Sequence, residues 1–308
     1  MSSNAEVKSP EEERADRFNS LRSQWNSLST RATLGSLSDE VEDMGGKIEG
    51  AGHRIEALRA RGYIYGRGWE AQAEVLHKSW PERARNARRI LAERKNGLRD
   101  LVKDIETQCD RTRLSDRELD QLENLIERAE SQVSNAESTV RGAFDTLEEQ
   151  FDTLESSISW MEETFDALDN ASFKLFPDER VVSAGEAEWV SEKEEPKGFL
   201  FLTNGRIVFE QREKKATKKV LFITTKSEMV QEKLWEAPVG MIEDMEIEDE
   251  KSGLLGLGRK QMLTFRFRER TRELPSDVTL RVKGTTNEWW QGIIKRVQTG
   301  EIEADRYD

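Results

Sequence analysis

The sequence predicts an α+β protein of two domains: an elongated α-helical coiled-coil bundle over residues 1–170 and a small β-barrel with a C-terminal helix over residues 171–308. Apolar residues recur at heptad spacing through the first half. After Pro177 the pattern changes to the short alternating runs typical of strands. Charged and hydrophobic residues each make up 35% of the chain, which favours thin helical seams over one large globular core.

The first half begins with two helices that are separated at Gly35. The apolar seam of the first helix ends at Ala32, and the seam of the second runs from Leu37 to Leu58 with spacings of three and four residues. Each glycine inside a helix costs about 1 kcal/mol relative to alanine. We expect the glycines of the second helix either to permit close packing or to mark a kink. These glycines are at positions 45, 46, 50 and 52.

A loop is predicted at 61–70, RGYIYGRGWE, with a third helical stretch after it that is interrupted or begins again at Trp80-Pro81. Ser115 and Glu118 have the spacing of a capping box, and one continuous helix is predicted from 115 to 169, about 80 Å long. The short connection before it favours an antiparallel hairpin with the third helix, in which residue i lies near residue 224 − i. The preceding seams are too short to cover the seam of this long helix, so we expect a homo-oligomer held by residues 115–169.

The second half is predicted to be a small sheet followed by a helix. Asn204-Gly205 suits a two-residue type I′ turn, in which both residues have positive φ. The register then places Leu202 opposite Ile207. Apolar residues lie on both faces of this hairpin, which favours a curved, closed sheet. Thr285 has capping-box spacing at the start of an amphipathic helix. Strands are predicted at 180–190, 198–203, 206–211, 219–224, 240–248, 261–268 and 278–284.

Four consecutive segments of the second half resemble the GRAM and bacterial pleckstrin-homology-like (PH-like) family. They are GFLFLTNGRIVFEQ, which carries a G-x-L-x-L-T-N-x-R hairpin, then APVGMIEDMEIED, LTFRF and the tryptophan-rich closing helix. The resemblance covers residues 176–299. It implies a binding module without catalysis, used for phosphoinositides in some members and for proteins in many others. The helical half matches no single family, although its layout ahead of such a module is similar to that of membrane-curving BAR–PH proteins.

One departure from the family pattern concerns lipid binding. In phosphoinositide-binding members the ligand often uses the connection between the first two strands. Here that connection is SEKEEPKG at 191–198, with three acidic residues and two lysines. This departure weakens any inherited phosphoinositide site.

Composition excludes several classes of function. No apolar run approaches the roughly 20 residues that span a bilayer, and the first residues lack the basic start and apolar stretch of a signal peptide. Cys109 is the sole cysteine and there are two histidines, so we expect a reducing cytoplasmic setting, no metal site and no cofactor. The net charge of −13 argues against a nucleic-acid partner. No catalytic motif is present, so we expect no enzyme.

The first candidate site is the lysine-rich stretch REKKATKKVLFITTK at 212–226. Each lysine near an anionic surface contributes about 1 kcal/mol, so this stretch can bind an anionic lipid or an acidic partner. The alternative is a solvated loop that keeps an edge strand from aggregating. The candidate residues are Lys214, Lys215, Lys218 and Lys219.

The second candidate site is the apolar tip of KSGLLGLGRK at 251–260. Leucines with basic flanks can insert into a membrane interface, or they can pack locally or bind a partner. If a membrane is the target, we expect this tip to act together with the lysines of the first site. The candidate residues are Leu254, Leu255, Leu257, Arg259 and Lys260.

The third candidate site is a basic helix face within 83–99, where seven basic residues accompany one acidic residue. The stretch expected to face it, 125–141, does not cancel this charge, and the acidic residues at the start of the first helix are one complement. The alternatives are a solvated or internally paired face and a surface for an acidic partner or an anionic membrane. The face consists of Arg85, Arg88, Arg89 and Lys95.

These observations lead to one functional hypothesis and one alternative. The hypothesis is a non-enzymatic, cytoplasmic scaffold or adaptor that self-associates through its helices and docks through the C-terminal module. The alternative is a peripheral membrane protein that binds anionic lipid at the inner face of the membrane and shapes the bilayer.

Overall fold

The computed structural model describes residues 8–191, 195–220, 223–252, 258–270 and 274–307, with the side chains of 216–220, 223–227, 249–252 and 258–260 outside the description. The chain divides into two compact units. The first comprises Met1–Gly52 and Gln72–Leu154, and the second comprises His53–Ala71 and Glu155–Asp308. The predicted boundary at residue 170 concerns which parts of the chain fold on their own. The division into these two units does not test that prediction.

Five helices occupy the first half of the chain, where the sequence predicts helices. α2 runs through all four of its glycines. At Gly45 an added Cβ would lie 2.8 Å from Nε1 of Trp80, so this glycine permits a close approach of α2 to α3. The helices are α1 (Pro10–Ala32), α2 (Gly35–Ala60), α3 (Trp69–Cys109), α4 (Asp116–Arg141) and α5 (Asp145–Asp169).

The prediction of one continuous helix over 115–169 is wrong, because the helix is interrupted at residues 142–144. Gly142, which has low helix propensity, caps the end of α4. Phe144 is buried in the turn and packs edge-on against Trp80, with ring centroids 6.1 Å apart. Residue 80 lies opposite residue 144 when i is paired with 224 − i, so this contact confirms the predicted register of the hairpin.

Within the first unit, α1 runs parallel to α4. Arg17 lies 2.7 Å from Asp120, and Arg31 lies 2.7 Å from Glu137, so residue numbers rise together along both helices. The seam of α4 is buried inside the single chain, with Leu119 fully covered. The argument that a second copy is needed to cover this seam is therefore wrong, and self-association stays a prediction without that support.

The second unit contains a seven-stranded antiparallel sheet whose strand order is β4-β3-β2-β1-β7-β6-β5. The sheet is open, with β4 and β5 as its edges, so the prediction of a closed barrel is corrected. The strands are β1 (Val181–Val190), β2 (Lys197–Thr203), β3 (Arg206–Val220), β4 (Ile223–Pro238), β5 (Ile242–Ser252), β6 (Gly258–Phe267) and β7 (Asp277–Val282).

The β2–β3 hairpin has the predicted register but a different turn. Leu202 pairs with Ile207, whereas neither Asn204 nor Gly205 has a positive φ, so the type I′ prediction is wrong. The hydroxyl of Thr203 accepts hydrogen bonds from the N–H groups of Gly205 at 3.2 Å and Arg206 at 2.9 Å. The Thr203 side chain thus makes hydrogen bonds in this turn, where the sequence motif predicts a turn held by the backbone.

β3 and β4 are longer than predicted. The stretch 212–218, expected as a connection, belongs to β3, and the strand expected at 219–224 is the far end of a hairpin between β3 and β4. Residues 223–238, for which the sequence predicts no separate strand, form β4. Charged residues dominate this stretch and obscure its alternating pattern.

Both faces of the β2–β3 hairpin are apolar because each is covered by a different part of the second unit. Leu200 and Phe209 lie on the inner face and are fully buried. On the outer face Phe201 and Val208 pack with Ala167 of α5 and with residues of the following segment. Closure of the sheet is therefore not the reason for the two apolar faces.

A C-terminal helix, α6 (Asn287–Thr299), packs on the inner face of the sheet through Trp290 and Ile294, both fully buried. Its N-cap is Thr286, one residue after the predicted Thr285, and the Thr286 side chain accepts from the N–H of Trp289 at 3.2 Å. In the described residues no helix combines the length and apolar character needed to cross a membrane.

Candidate binding surface

β3 and β4 form a two-stranded ribbon, residues 212–220 and 223–231, that extends beyond the rest of the sheet. β2 pairs with β3 as far as Gln211, whereas β3 and β4 stay paired to Val220 and Ile223. The overhang is on the order of 30 Å long, because a strand rises about 3.3 Å per residue. β4 is an edge strand, so its outer backbone groups have no strand partner in the part of the chain that the structure describes.

The lysines predicted as a site line this ribbon. Residues 214–226 include five lysines and no acidic residue. Lys214 is exposed and pairs in register with Met229, which is 57% exposed. Lys215 is half-buried and lies 3.8 Å from Glu213. Lys218 and Lys219 belong to the same ladder, but their side chains lie outside the description.

Arg212 lies at the base of the ribbon, two residues before Lys214 and therefore on the same face of β3. Its Nη2 donates to the carbonyl oxygen of Ala167 at 3.0 Å and lies 3.4 Å from the Glu210 carboxylate. The guanidinium sits 4.7 Å from the centroid of the Phe199 ring. Its Nε is buried without a hydrogen-bond partner among the described residues, so an acceptor on a bound partner would satisfy it.

Glu210 holds the base of the ribbon in place. Its carboxylate is fully buried and accepts from the N–H of Ser172 at 3.2 Å and from the side-chain amide of Gln231. These bonds join β3, β4 and the segment after α5. The base of the ribbon is therefore joined by hydrogen bonds, which a buried carboxylate requires because its burial without donors would be costly.

A cleft of about 500 Å³ adjoins Arg212, and α5 and the outer face of the sheet contribute its lining. Trp160, Phe199 and Ala184 supply the apolar lining. The indole Nε1 of Trp160 donates to Oγ of Ser183 at 2.7 Å, which fixes the orientation of the ring. Charged residues also line the cleft: Glu163, Asp166, Glu186, Arg212 and Lys283.

Several of these charges are already paired. Asp166 lies 2.8 Å from Arg61, and Lys283 lies 3.0 Å from Glu188. Arg212 keeps an unused donor beside the aromatic walls. The cleft therefore suits an apolar side chain that carries or adjoins a hydrogen-bond acceptor.

Glu188 on β1 lies close to three basic side chains. Lys283, Lys197 and Arg281 lie 3.0, 3.5 and 3.8 Å from its carboxylate. Burial alone would raise the pKa of Glu188, but the ammonium groups of Lys283 and Lys197 outweigh burial and lower the pKa. These basic residues are thus engaged within the chain rather than free for an anionic ligand.

The second predicted site lies between β5 and β6 in the sequence. Leu254, Leu255 and Leu257 fall outside the described residues, as do the side chains of Arg259 and Lys260. Since all neighbouring strands are antiparallel, β3 and β6 run in the same direction, so the last residue of β3 and the first residue of β6 lie at opposite ends of the sheet. The prediction that the two sites act together at one surface stays a prediction.

The third predicted site is an exposed part of α3 in the first unit. Arg85, Arg88, Arg89 and Lys95 are all exposed, and Arg89 pairs with Glu93 at 2.7 Å. The acidic residues at the start of α1 do not complement this face, because they have other partners. Glu11 pairs with Arg113, Asp16 pairs with Lys8, and Glu12 caps its own helix.

The cleft has no distinctive pattern in the sequence. Trp160 and Phe199 are 39 residues apart and follow the ordinary apolar pattern of a helix and of a strand. The sequence does indicate that Arg212 lies on the same face as Lys214, because the two are separated by the two-residue spacing that places side chains on one face of a strand.

Comparisons with known proteins add little. No protein-family model matches the chain, and no curated protein matches it. The C-terminal domain of an unknown protein from Leishmania infantum is 12% identical at a TM-score of 0.24, with 39% of this chain and 84% of that chain covered. The Vps36 N-terminal PH domain is 14% identical at a TM-score of 0.26, with 42% and 86% covered.

A third solved structure, of the DH/PH domains of p115-RhoGEF, is 10% identical at a TM-score of 0.24 and covers 89% of this chain and 98% of that chain. These TM-scores are too low to support an argument about fold or function. The GRAM resemblance therefore continues to rest on its sequence segments.

Proposed function

We propose that the protein is a non-enzymatic adaptor whose second unit is a GRAM/PH-like binding module. The ribbon of residues 212–220 and 223–231 carries this proposal. It combines an open strand edge, five lysines between residues 214 and 226 that outnumber the flanking Glu213 and Glu228, and a base held by the hydrogen bonds of Glu210. We infer that the ribbon docks an acidic, extended segment of a protein partner.

The open edge of β4 supports a protein partner. An extended peptide can add a strand to an exposed sheet edge, where main-chain hydrogen bonds supply affinity and side chains supply specificity. Lys214 and the exposed Met229 lie side by side on the ribbon and can contact such a strand. The cleft beside Arg212 can receive an apolar side chain of the same partner, with an acceptor for the free Nε.

An anionic membrane surface is the second candidate. The sequence between Lys219 and Thr224 is Val-Leu-Phe-Ile, so a run of four apolar residues follows the lysine pairs in this part of the chain. Basic residues flanking apolar ones favour the interface of an anionic bilayer. In this case the protein is peripheral and cytoplasmic, and the helical half shapes or spaces the surface.

Self-association is the remaining part of the proposal. Because the α4 seam is covered within one chain, contacts between copies would use other surfaces, such as exposed charged faces of the helices.

The test compares two variants that change the charge by the same amount. One replaces Lys214, Lys215, Lys218 and Lys219 with Glu, and the matched control replaces Arg85, Arg88, Arg89 and Lys95 with Glu. Partners captured from native lysate by the full chain are quantified for each variant. Binding to vesicles with and without phosphatidylserine is measured at low and high salt. Four lysines contribute about 4 kcal/mol at most, so the ribbon variant should lose binding on the order of a thousandfold.

The outcomes separate the candidates. An adaptor loses its captured partners in the ribbon variant, keeps them in the control, and ignores anionic vesicles. A peripheral membrane protein binds phosphatidylserine vesicles in a salt-dependent manner that the ribbon variant abolishes. If both variants match the wild type in both assays, the ribbon is structural surface and the proposal is wrong.

A further inference from the structure

A second cavity, of about 790 Å³, lies in the first unit beside the turn between α3 and α4. One side is lined by α1, including Phe18, and the other by residues 109–115. Its volume falls within the roughly 300–1,000 Å³ typical of small-molecule sites. The cavity belongs entirely to the helical unit, so it is separate from the ribbon and from the cleft.

The charged lining of this cavity is mainly basic. Four arginines face two acidic residues, although the chain around the turn is strongly acidic, with 20 acidic and 6 basic residues between 100 and 170. Guanidinium groups present planar forks that match phosphate oxygens in pairs. The charged lining residues are Arg14, Arg22, Arg111, Arg113, Glu11 and Asp110.

Three of the four arginines are held by carboxylates that an incoming anion can replace. Exposed ion pairs of this kind contribute little to stability, since water screens them. Arg22 makes no ion pair with any residue that the structure describes. The pairs are Arg14–Asp116 at 3.5 Å, Arg111–Glu118 at 2.7 Å and Arg113–Glu11 at 3.3 Å.

The cavity also offers an apolar lining. Leu114 and Cys109 are buried, and Phe18 is half-buried. Burial raises the pKa of the Cys109 thiol, and Arg22 lines the same cavity. An apolar or aromatic part of a ligand can therefore contact these side chains beside the arginines.

We propose that this cavity binds a small phosphate-bearing anion. The guanidinium groups of Arg14, Arg22, Arg111 and Arg113 hold the phosphates, and Phe18 and Leu114 contact the non-polar part. The anion is either a soluble phosphate compound or a phosphorylated lipid headgroup, since the two share this chemistry.

The experiment uses the full chain and two probes. ATP without added magnesium serves as the soluble probe, and phosphatidylcholine vesicles containing a phosphatidylinositol phosphate serve as the membrane-borne probe. Binding is measured by calorimetry or co-sedimentation. The labelling rate of Cys109, the sole cysteine, reports occupancy of the cavity in the same samples. We expect a bound probe to slow labelling.

Arginine variants assign the binding to the cavity. Arg22→Ala and Arg111→Ala should each weaken probe binding by about tenfold, the effect of losing a charge-assisted hydrogen bond. Arg22→Lys keeps the charge but loses the fork, and should lie between Arg22→Ala and wild type. Arg83→Ala and Arg94→Ala remove the same charge from exposed positions of α3 and should leave binding unchanged.

Each outcome decides the matter. The site is supported if either probe binds, if Arg22→Ala weakens that binding by about tenfold, and if the bound probe slows labelling of Cys109. The probe that binds, ATP or the phosphatidylinositol phosphate vesicles, then identifies the source of the phosphate. The proposal fails if neither probe binds at millimolar concentration, or if the α3 controls lose as much affinity as the cavity variants. It also fails if a probe binds without changing the labelling of Cys109. The wild-type labelling result does not depend on whether a variant folds.

Discussion

Arg206 links the hairpin motif of the sequence to the stability of the second unit, and its replacement by Met is the most informative single change. Its guanidinium donates to both carboxylate oxygens of Glu179, at 2.7 and 2.9 Å, and to the carbonyl oxygen of Lys174 at 2.8 Å. It also pairs with Glu236 and lies 4.2 Å from the ring centroid of Phe176. Met conserves much of the apolar contact and removes every one of these polar contacts.

The expected loss follows from what remains around Glu179. Its side chain is 4% exposed, and breaking a buried ion pair costs about 3–5 kcal/mol because the other charge is left uncompensated. Two donors remain, the N–H of Phe176 at 2.8 Å and the hydroxyl of Thr203 at 2.7 Å. We therefore expect the lower end, about 3 kcal/mol of unfolding free energy.

The loss should be local to the sheet. Hydrogen exchange of β2 and β3 amides measures it directly in the full chain, and urea unfolding followed by tryptophan fluorescence provides a second measurement. Arg83→Met on the exposed surface of α3 is the control and should change stability by less than about 0.5 kcal/mol. The double variant Glu179→Gln, Arg206→Met should recover part of the loss, since no buried charge is left.

The pH dependence has a definite sign. Burial alone would raise the pKa of Glu179, but hydrogen bonds from Arg206, from the N–H of Phe176 and from Thr203 outweigh it and hold the pKa below its usual range. Such a carboxylate stabilises the fold above its unfolded-state pKa, and this stability is lost as the pH falls through its folded-state pKa. In Arg206→Met the pKa rises, so acid unfolding should begin at a higher pH than in wild type.

Two results would refute this reasoning. The first is a loss below about 1 kcal/mol for Arg206→Met, the size expected of an exposed pair. The second is a double variant that is no more stable than the single one.

Three further predictions test the fold. An added Cβ at Gly198 would lie 1.8 Å from the carbonyl oxygen of Glu210, so Gly198→Ala should cost about 3 kcal/mol in urea unfolding, and a neutral effect would contradict the close approach. A fragment of residues 155–308 should melt at a higher temperature than 171–308, because Ala167 covers the outer face of the sheet; equal melting would show that α5 adds nothing. If copies associate through charged faces, the mass measured by light scattering at low salt should exceed the monomer mass of 35.5 kDa and should fall to that value in high salt. A measured mass equal to that of the monomer at every salt concentration would remove self-association from the proposal.

Local sequence signals determined the type of most elements. The heptad seams predict the helices, and Ser115 and Glu118 form the start of α4, where the Glu118 carboxylate accepts from the N–H of Ser115 at 2.8 Å. The hairpin around Asn204-Gly205 predicts the pairing of Leu202 with Ile207. These features depend on residues two to four positions apart or on one short turn, so the sequence carries them without knowledge of the rest of the fold.

The tertiary structure decided which surfaces are covered and which are open. The turn at Gly142 packs Phe144 against Trp80, the outer face of the hairpin packs on Ala167, and the α4 seam is covered within one chain. The cleft beside Arg212 brings Trp160 of α5 to the level of Phe199 in β2. In each case the contact depends on how whole elements pack, and an apolar residue has the same sequence pattern whether its partner lies in this chain or in another.

The same reason explains the error about a closed barrel. Alternating apolar runs mark individual strands, but the order of the strands leaves β4 and β5 as the two edges of an open sheet. This order includes hydrogen-bonded pairing between β1 and β7, whose paired residues lie about ninety positions apart. No short window of sequence contains that pairing, so the open sheet is a property of the folded chain.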